Sequence, residues 1–208
     1  MFGFSLMDIV AGIPGLIMAM VIHEYAHARV AVAMGDFTPK ATGRLTLNPV
    51  SHIDPIGLLM LLVAQFGWAK PVMINPMNFR NFKRGELLVS LAGPAANLVL
   101  AFIALVVMAL WIKLGMTMTY GVKIVFSLIV LYNINFAIFN MIPLPPLDGS
   151  KVLMSFLPPR WNYKLAGLER YSFFILIALM MTPVLGGILI PLQRLVLSVF
   201  NFMIGVIL

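Results

Sequence analysis

The chain of 208 residues contains no cysteine, and only 10% of its residues are charged. The absence of cysteine excludes disulfide bonds, thiolate metal sites and a cysteine nucleophile. Ordinary globular domains carry about 25% charged residues, so the scarcity of charge argues against a soluble domain. The chain is instead 62% hydrophobic, which is more than a soluble core of this size can bury and too much for a disordered chain. The composition predicts a protein that lies in the lipid bilayer.

Three apolar segments are each long enough to cross the membrane as a helix, since a hydrocarbon core of roughly 30 Å needs about 20 helical residues. They comprise residues 4–33, 87–114 and 120–142. The final 38 residues are also almost wholly apolar. Prolines interrupt them, so they form either two helices or one span with a short terminal helix. The predicted fold is an all-α polytopic membrane protein with about five transmembrane helices.

These helices are expected to form one integral membrane domain over residues 1–208. Residues 5–157 would make up its core, and residues 158–208 would add the C-terminal helices. Residues 151–170, at the junction, mix polar and apolar side chains and are predicted to be loop-like.

Two segments between the first and second spanning helices depart from the helical pattern. Ile56 to Phe66 is an apolar run of eleven residues, which as a helix would extend only about 16 Å. It is therefore predicted to be a re-entrant half-span. Arg44 to Leu47 alternates polar and apolar residues before a turn at Asn48-Pro49, which predicts a short membrane-associated strand.

The formal net charge of +7 would suggest a nucleic-acid partner in a soluble protein. In a membrane protein, Lys and Arg instead mark the short loops that stay in the cytoplasm. Eleven of them lie between the first two spanning helices or after the third, against only Lys113 and Lys123 in the remaining loop. The pattern predicts a multi-pass protein of the cell (plasma or inner) membrane, with its N-terminus outside and no nucleic-acid partner.

The string His23-Glu24-Tyr25-Ala26-His27 carries the chemistry of the first helix. Residues i and i+4 share one helix face, so both imidazoles can bind one zinc ion, with Glu24 beside them as a general base. In a shuffled chain of this composition such a string arises with a probability of roughly one in a thousand. The alternative is a histidine pair that is hydrogen-bonded inside the bundle, with Glu24 salt-bridged to Arg29.

Catalytic zinc sites usually have three protein ligands, so a third is needed. Asp148 is the best candidate, because it follows a spanning helix on the predicted cytoplasmic side. Three prolines before it break the helical backbone, and Gly149 permits a tight bend. The alternative is an ordinary aspartate at a helix exit. A separate hypothesis has His52 cap or gate the metal, against the alternative of a loop histidine hydrogen-bonded to the backbone.

Three motifs together resemble those of the site-2 protease family of intramembrane zinc metalloproteases. They occur in the family's order and fall within about residues 5–157: His23-Glu24-x-x-His27, Gly93-x-x-x-Asn97 and Asn140-x-x-Pro143-x-Pro145-Pro146-Leu147-Asp148-Gly149. The short chain resembles the bacterial branch without PDZ or CBS domains.

The resemblance implies that one Zn²⁺ is bound by His23, His27 and Asp148, and that Glu24 is the catalytic base. It also implies that Asn140 lies near the site and hydrogen-bonds the substrate or the oxyanion. Asn97 and Gly93 are interpreted first as close-packing residues, with a direct role for Asn97 as the alternative. The implied substrate is a transmembrane helix of another protein.

Two other functions are compatible with these residues. A metal-binding transporter would also place ionisable groups at membrane depth, although Glu24 beside His23 favours a hydrolase. A non-catalytic relative would only bind membrane helices.

Overall fold

The computed structural model describes residues 6–57 and 68–207, and helices dominate both ranges. The principal helices are α1 (Leu6–Met34), α2 (Thr38–Ala41), α3 (Phe82–Lys113), α4 (Tyr120–Asn140), α5 (Asp148–Phe156), α6 (Pro159–Met181) and α7 (Val184–Ile207). Short 3-10 helices cover Pro49–His52 and Pro76–Asn78.

Among the described residues, four helices are long and apolar enough to cross a membrane: α1 over Val10–Met34, α3, α4 and α7. In α6 the apolar part is Arg170–Met181, and that segment is shorter than a span. The prediction of an all-α polytopic membrane protein is confirmed, with four candidate spans in place of about five. The last 38 residues contain two helices, separated at Thr182-Pro183.

Helices α1, α3 and α4 pack against one another and form the centre of the molecule. Small residues allow this close approach. A Cβ atom at Gly15 would lie 3.0 Å from the backbone of Ile129 on α4. Ala19 and Ala28 on α1 are fully buried, as is Ala101 on α3. The short helix α5 packs on α3, whereas α7 lies outside the three central helices and buries none of its residues.

Capping side chains set the beginnings of α3 and α4. Asn81 accepts a hydrogen bond from the backbone N–H of Arg84, so α3 begins five residues before the predicted span. Thr119 caps α4 in the same way, and α4 begins at Tyr120 as predicted. Helix α4 ends at Asn140 because Pro143 disfavours helical backbone in the residue before it.

The predicted strand at Arg44 to Leu47 is wrong. These residues form a bend whose hydrogen bonds close locally on the following 3-10 helix. Arg44 donates to the carbonyl oxygen of Ser51, and His52 donates to that of Thr46. The described residues show a single isolated bridge in this region, between Ile53 and Ala69.

The predicted half-span at Ile56 to Phe66 lies almost entirely outside the described residues. Only Ile56 and Gly57 of this segment are described, both in helical conformation. The expectation of a loop over residues 151–170 is wrong, because α5 and α6 cover most of it. Pro159 occupies the first turn of α6, where a proline's missing N–H costs nothing.

Candidate active site

His23, His27 and Asp148 meet in the interior of the protein. The Nε2 atoms of the two imidazoles lie 2.9 Å apart, and each lies 3.1 Å from the same carboxylate oxygen, Oδ2 of Asp148. All three side chains are buried, with exposed fractions of 3%, 7% and 8%. The structure thus brings together the three residues that the sequence identified as metal ligands.

Asp148 reaches the histidines because it is the first residue of α5, just beyond the turns that follow α4. Gly149 makes this position accessible, but not by the bend expected from the sequence. Its backbone adopts an ordinary helical conformation, and a Cβ atom there would collide with the carbonyl oxygen of Met141 at the end of α4. The glycine is required for close approach, which holds the start of α5 against the end of α4.

The hydrogen bonds of Asn97 select the tautomer of His23. The Asn97 side-chain N–H₂ donates to the carbonyl oxygen of Ala19 at 2.8 Å, so its oxygen must face His23. That oxygen lies 2.7 Å from Nδ1 of His23. Because an amide oxygen can only accept, Nδ1 carries a proton, and in the neutral ring Nε2 then presents a lone pair to the centre of the site.

The same logic applies to His27. Its Nδ1 lies 2.7 Å from the carbonyl oxygen of Val89 on α3 and must donate to it. In the neutral ring, Nε2 therefore also presents a lone pair. Two imidazole lone pairs and one carboxylate oxygen converge in a buried site, where electron-rich atoms repel each other unless a cation lies between them. The donor set is one that zinc favours.

The separations fit a single zinc ion. A circle through three atoms 2.9, 3.1 and 3.1 Å apart has a radius of about 1.8 Å, shorter than the roughly 2.0–2.2 Å bonds of zinc to imidazole nitrogen and carboxylate oxygen. A single ion could therefore contact all three atoms. Three protein ligands are also the usual number in catalytic zinc sites.

Gly93 on α3 lines the site next to both imidazoles. A Cβ atom there would lie 2.6 Å from Cε1 of His23 and 2.6 Å from Nε2 of His27. Real Cβ atoms do not approach other atoms so closely, so only glycine fits between α3 and the two rings. The prediction of a close-packing residue agrees with this geometry.

Comparison with known proteins places this site in a family. The model of peptidase family M50 matches residues 108–183. The chain is 41% identical to "Putative zinc metalloprotease YwhC" of Bacillus subtilis (strain 168) over 85% of its own length and 83% of that protein. It is 33% identical to "Putative zinc metalloprotease Rip2" of Mycolicibacterium smegmatis over 84% of its length and 68% of that protein. The chain belongs to peptidase family M50. No solved structure matches this M50 chain.

Membership of family M50 confirms the resemblance that the motifs indicated.

Asn97 has a role that the sequence analysis left open. It is fully buried and donates a second hydrogen bond, at 2.9 Å, to the side-chain oxygen of Asn133 on α4. Asn133 in turn donates to the carbonyl oxygen of Ile129. Asn97 thus orients a metal-ligand candidate and links α3 to both neighbouring helices. A buried amide four residues from Gly93 was the available signal.

We call His23, His27 and Asp148 the metal group. Glu24 follows His23 on α1 and is half-buried. Its Oε2 accepts a hydrogen bond of 2.8 Å from the backbone N–H of Val72. Within the described residues, no ion pair joins it to Arg29, the partner considered in the alternative interpretation. The Glu24 carboxylate of this M50 chain is therefore hydrogen-bonded to the backbone of a loop that lies far from it in sequence.

The structure also locates Asn140 and His52, the two other residues for which the sequence suggested a role at the site. The Asn140 amide is half-buried and donates to the carbonyl oxygen of Phe136 in its own helix at 2.9 Å. Phe136 packs edge-on against the His23 ring, with ring centroids 5.0 Å apart.

His52 is fully buried, donates to the carbonyl oxygen of Thr46, and is not part of the metal group. The alternative of a loop histidine bonded to backbone describes His52 better than a gate does.

Proposed function

We propose that this M50 protein is a zinc-dependent endopeptidase that cleaves a transmembrane helix of a membrane-anchored substrate. The observation that carries the proposal is the buried convergence of Asp148 with His23 and His27, two residues of a helix long enough to span the bilayer. His27 lies seven residues before the end of that helix at Met34, or about 10 Å along its axis. A site at that depth is reached most readily by a substrate in the membrane.

His23, His27 and Asp148 would hold the zinc ion, each through one atom. When bound, zinc supplies a Lewis acid that polarises a carbonyl and lowers the pKa of a coordinated water to about 7. The chain's part is to keep the three ligand atoms unprotonated and oriented. Asn97 and the carbonyl oxygen of Val89 do this for the two imidazoles.

Glu24 would act as the general base, taking a proton from the attacking water and passing it to the leaving amine. Because Glu24 follows His23 on α1, it lies at the edge of the metal group without being one of the three ligands. Asn140 would donate its remaining amide hydrogen to the substrate carbonyl as negative charge develops there, because an amide can do so without adding charge of its own. The resemblance of the motifs implies both roles. Their positions support them, because Glu24 follows His23 on α1 and Asn140 bonds to Phe136, which packs on the His23 ring.

The substrate must present an extended peptide, since a helix occupies its carbonyl oxygens in hydrogen bonds to its own backbone. An apolar cavity of about 330 Å³ between α3, α4 and α7 suits a hydrophobic segment. Its lining includes Pro94, next to Gly93, and Met141, next to Asn140. Its location favours a membrane helix over a soluble peptide as the substrate. The loop charges favour an active site toward the cytoplasm.

Glu24→Gln tests the proposal against a panel of membrane-anchored peptides in detergent or nanodiscs. The variant should bind zinc as the wild type does and lose cleavage, because Gln cannot take up the proton. Glu86→Gln, a glutamate on α3 outside the metal group, is the matched control and should cleave normally. Undiminished cleavage by Glu24→Gln would contradict the proposal. Zinc movement across the membrane that survives in Glu24→Gln, without any cleavage by the wild type, would point to a transporter.

A further inference from the structure

An extended segment runs alongside the end of α1 and is fixed to it at several points. We call residues 69–80 the strap. The N–H of Lys70 donates to the carbonyl oxygen of His52, and the N–H of Arg80 donates to that of Met34 at the end of α1. Between these two anchors, two backbone N–H groups of the strap donate to carboxylates of the α1 region. Its course along α1 is therefore determined by its backbone.

The first of these carboxylate bonds involves the candidate base. The N–H of Val72 lies 2.8 Å from Oε2 of Glu24, a residue 48 positions earlier in the chain. The Val72 residue is 8% exposed, so water has little access from that side. A hydrogen bond from a backbone N–H to a carboxylate in such surroundings is strong and well oriented.

We propose that the backbone amide of Val72 is a positioning group for Glu24, so that the strap aligns the catalytic base. The inference rests on the proposed function, in which Glu24 takes a proton from water. The bond uses Oε2, which leaves Oε1 to accept that proton. A glutamate at the edge of a site has three rotatable bonds, and one anchored oxygen restricts them. A backbone donor also cannot ionise or turn away.

The second carboxylate bond holds the strap itself in place. Asp36, which follows α1 and is fully buried, accepts from the N–H of Asn75 at 2.7 Å and from the side-chain amide of Asn78 at 2.8 Å. Asn75 lies three residues beyond Val72 on the strap. The position of the Val72 amide thus depends on contacts that lie outside the metal group. A change in the strap would alter the base without touching a metal ligand.

Amide hydrogen exchange at single-residue resolution tests the contact without any need for cleavage. In zinc-loaded protein, the Val72 amide should exchange at least tenfold faster in Glu24→Ala than in the wild type. In Glu24→Gln it should stay protected, because the Gln side-chain oxygen can still accept. The Asn75 amide, held by Asp36, is the internal control and should not change. Equal Val72 exchange in Glu24→Ala and wild type would overturn the inference while leaving the proposed function untouched.

Val72→Pro tests the consequence for catalysis, because proline removes the N–H and Val72→Ala keeps it. With a membrane-anchored substrate, Val72→Pro should lower kcat roughly ten- to a hundredfold, as expected for a lost hydrogen bond to a charged group. Its KM and zinc content should stay within about twofold of wild type, and Val72→Ala should retain most of the wild-type kcat. A Val72→Pro protein with the kcat of Val72→Ala would overturn the positioning role. If Val72→Pro does not fold, the exchange experiment decides.

Discussion

The side-chain oxygen of Asn97 accepts a 2.7 Å hydrogen bond from Nδ1 of His23, which lies 74 residues earlier in the chain. This bond selects the tautomer in which Nε2 of His23 is free of a proton and faces Asp148. The bond partners of the amide nitrogen, Ala19 and Asn133, prevent Asn97 from turning round. One buried amide therefore determines whether the first helix presents two ligands or one.

Asn97→Ala should weaken zinc binding by about 10- to 100-fold, the usual effect of removing a hydrogen-bond partner of a metal-binding histidine. The expected cause is that His23 loses its fixed tautomer and ring orientation. Competition with a chelator of known affinity measures the effect. Unchanged zinc affinity in Asn97→Ala would show that the bond has no bearing on the metal.

Asn140→Ala should leave zinc binding intact and lower kcat, because Asn140 is proposed to donate to the oxyanion. Loss of one such donor typically costs about 10²- to 10³-fold in kcat. Steady-state cleavage and zinc content, measured on the same preparation, check this. Asn201→Ala, an exposed asparagine on α7, is the matched control and should behave as wild type. A kcat equal to that of the control would remove Asn140 from the mechanism.

Gly93→Ala should reduce both zinc content and stability, because the added Cβ would lie 2.6 Å from atoms of both imidazoles. Overpacking of this kind typically costs about 1–3 kcal/mol. Gly121→Ala on α4 is the control, since a Cβ there meets nothing within 4 Å. Thermal unfolding and zinc analysis of the two variants should separate them clearly. Equal behaviour would mean that α3 can move away from the rings at little cost.

Asp36 should make the stability of the protein depend on acid pH. Burial would raise the pKa of its carboxyl, but hydrogen bonds from Thr38, Asn78 and Asn75 outweigh burial and hold the pKa below its usual value. A carboxyl with a lowered folded-state pKa stabilises the fold above its unfolded pKa of about 4, and this contribution is lost as the pH falls through the folded-state value.

Thermal unfolding of wild type and Asp36→Asn at several pH values measures this contribution. Asp36→Asn should be less stable near neutral pH, since its N–H₂ group would face the donors that the carboxylate accepts from. The difference between the two proteins should shrink as the pH drops below about 4, where the carboxyl is protonated in the unfolded chain, until the pH has passed the lowered folded-state pKa. A difference that stays constant from neutral to acid pH would contradict the assigned role of the carboxylate.

The three residues of the candidate metal group could be predicted from sequence because they follow local rules. The spacing of His23 and His27 places both on one helix face. The spans on either side put Asp148 at the matching end of the bundle. The partners of these ligands could not be predicted in the same way. Which amide on α3 contacts His23 depends on how two helices pack, and no spacing within one helix reports it.

The wrong strand prediction and the missed partner of Glu24 also arise from contacts that a local sequence pattern does not report. Arg44 to Leu47 alternates as a strand does, but alternation does not reveal that Arg44 and His52 bond to carbonyl oxygens within the same loop. The contact of Glu24 with Val72 was invisible to sequence reasoning because its donor is a backbone N–H, which every residue except proline carries.

The most direct test of the account is the zinc content of the purified wild-type protein and of Asp148→Ala, determined by elemental analysis after exposure to the same chelator. The account predicts about one zinc per wild-type chain, the stoichiometry of a single three-ligand site, and a large loss in Asp148→Ala. Zinc absent from the wild type, or bound equally by Asp148→Ala, would contradict the claim that two histidines of α1 and the first residue of α5 share one ion.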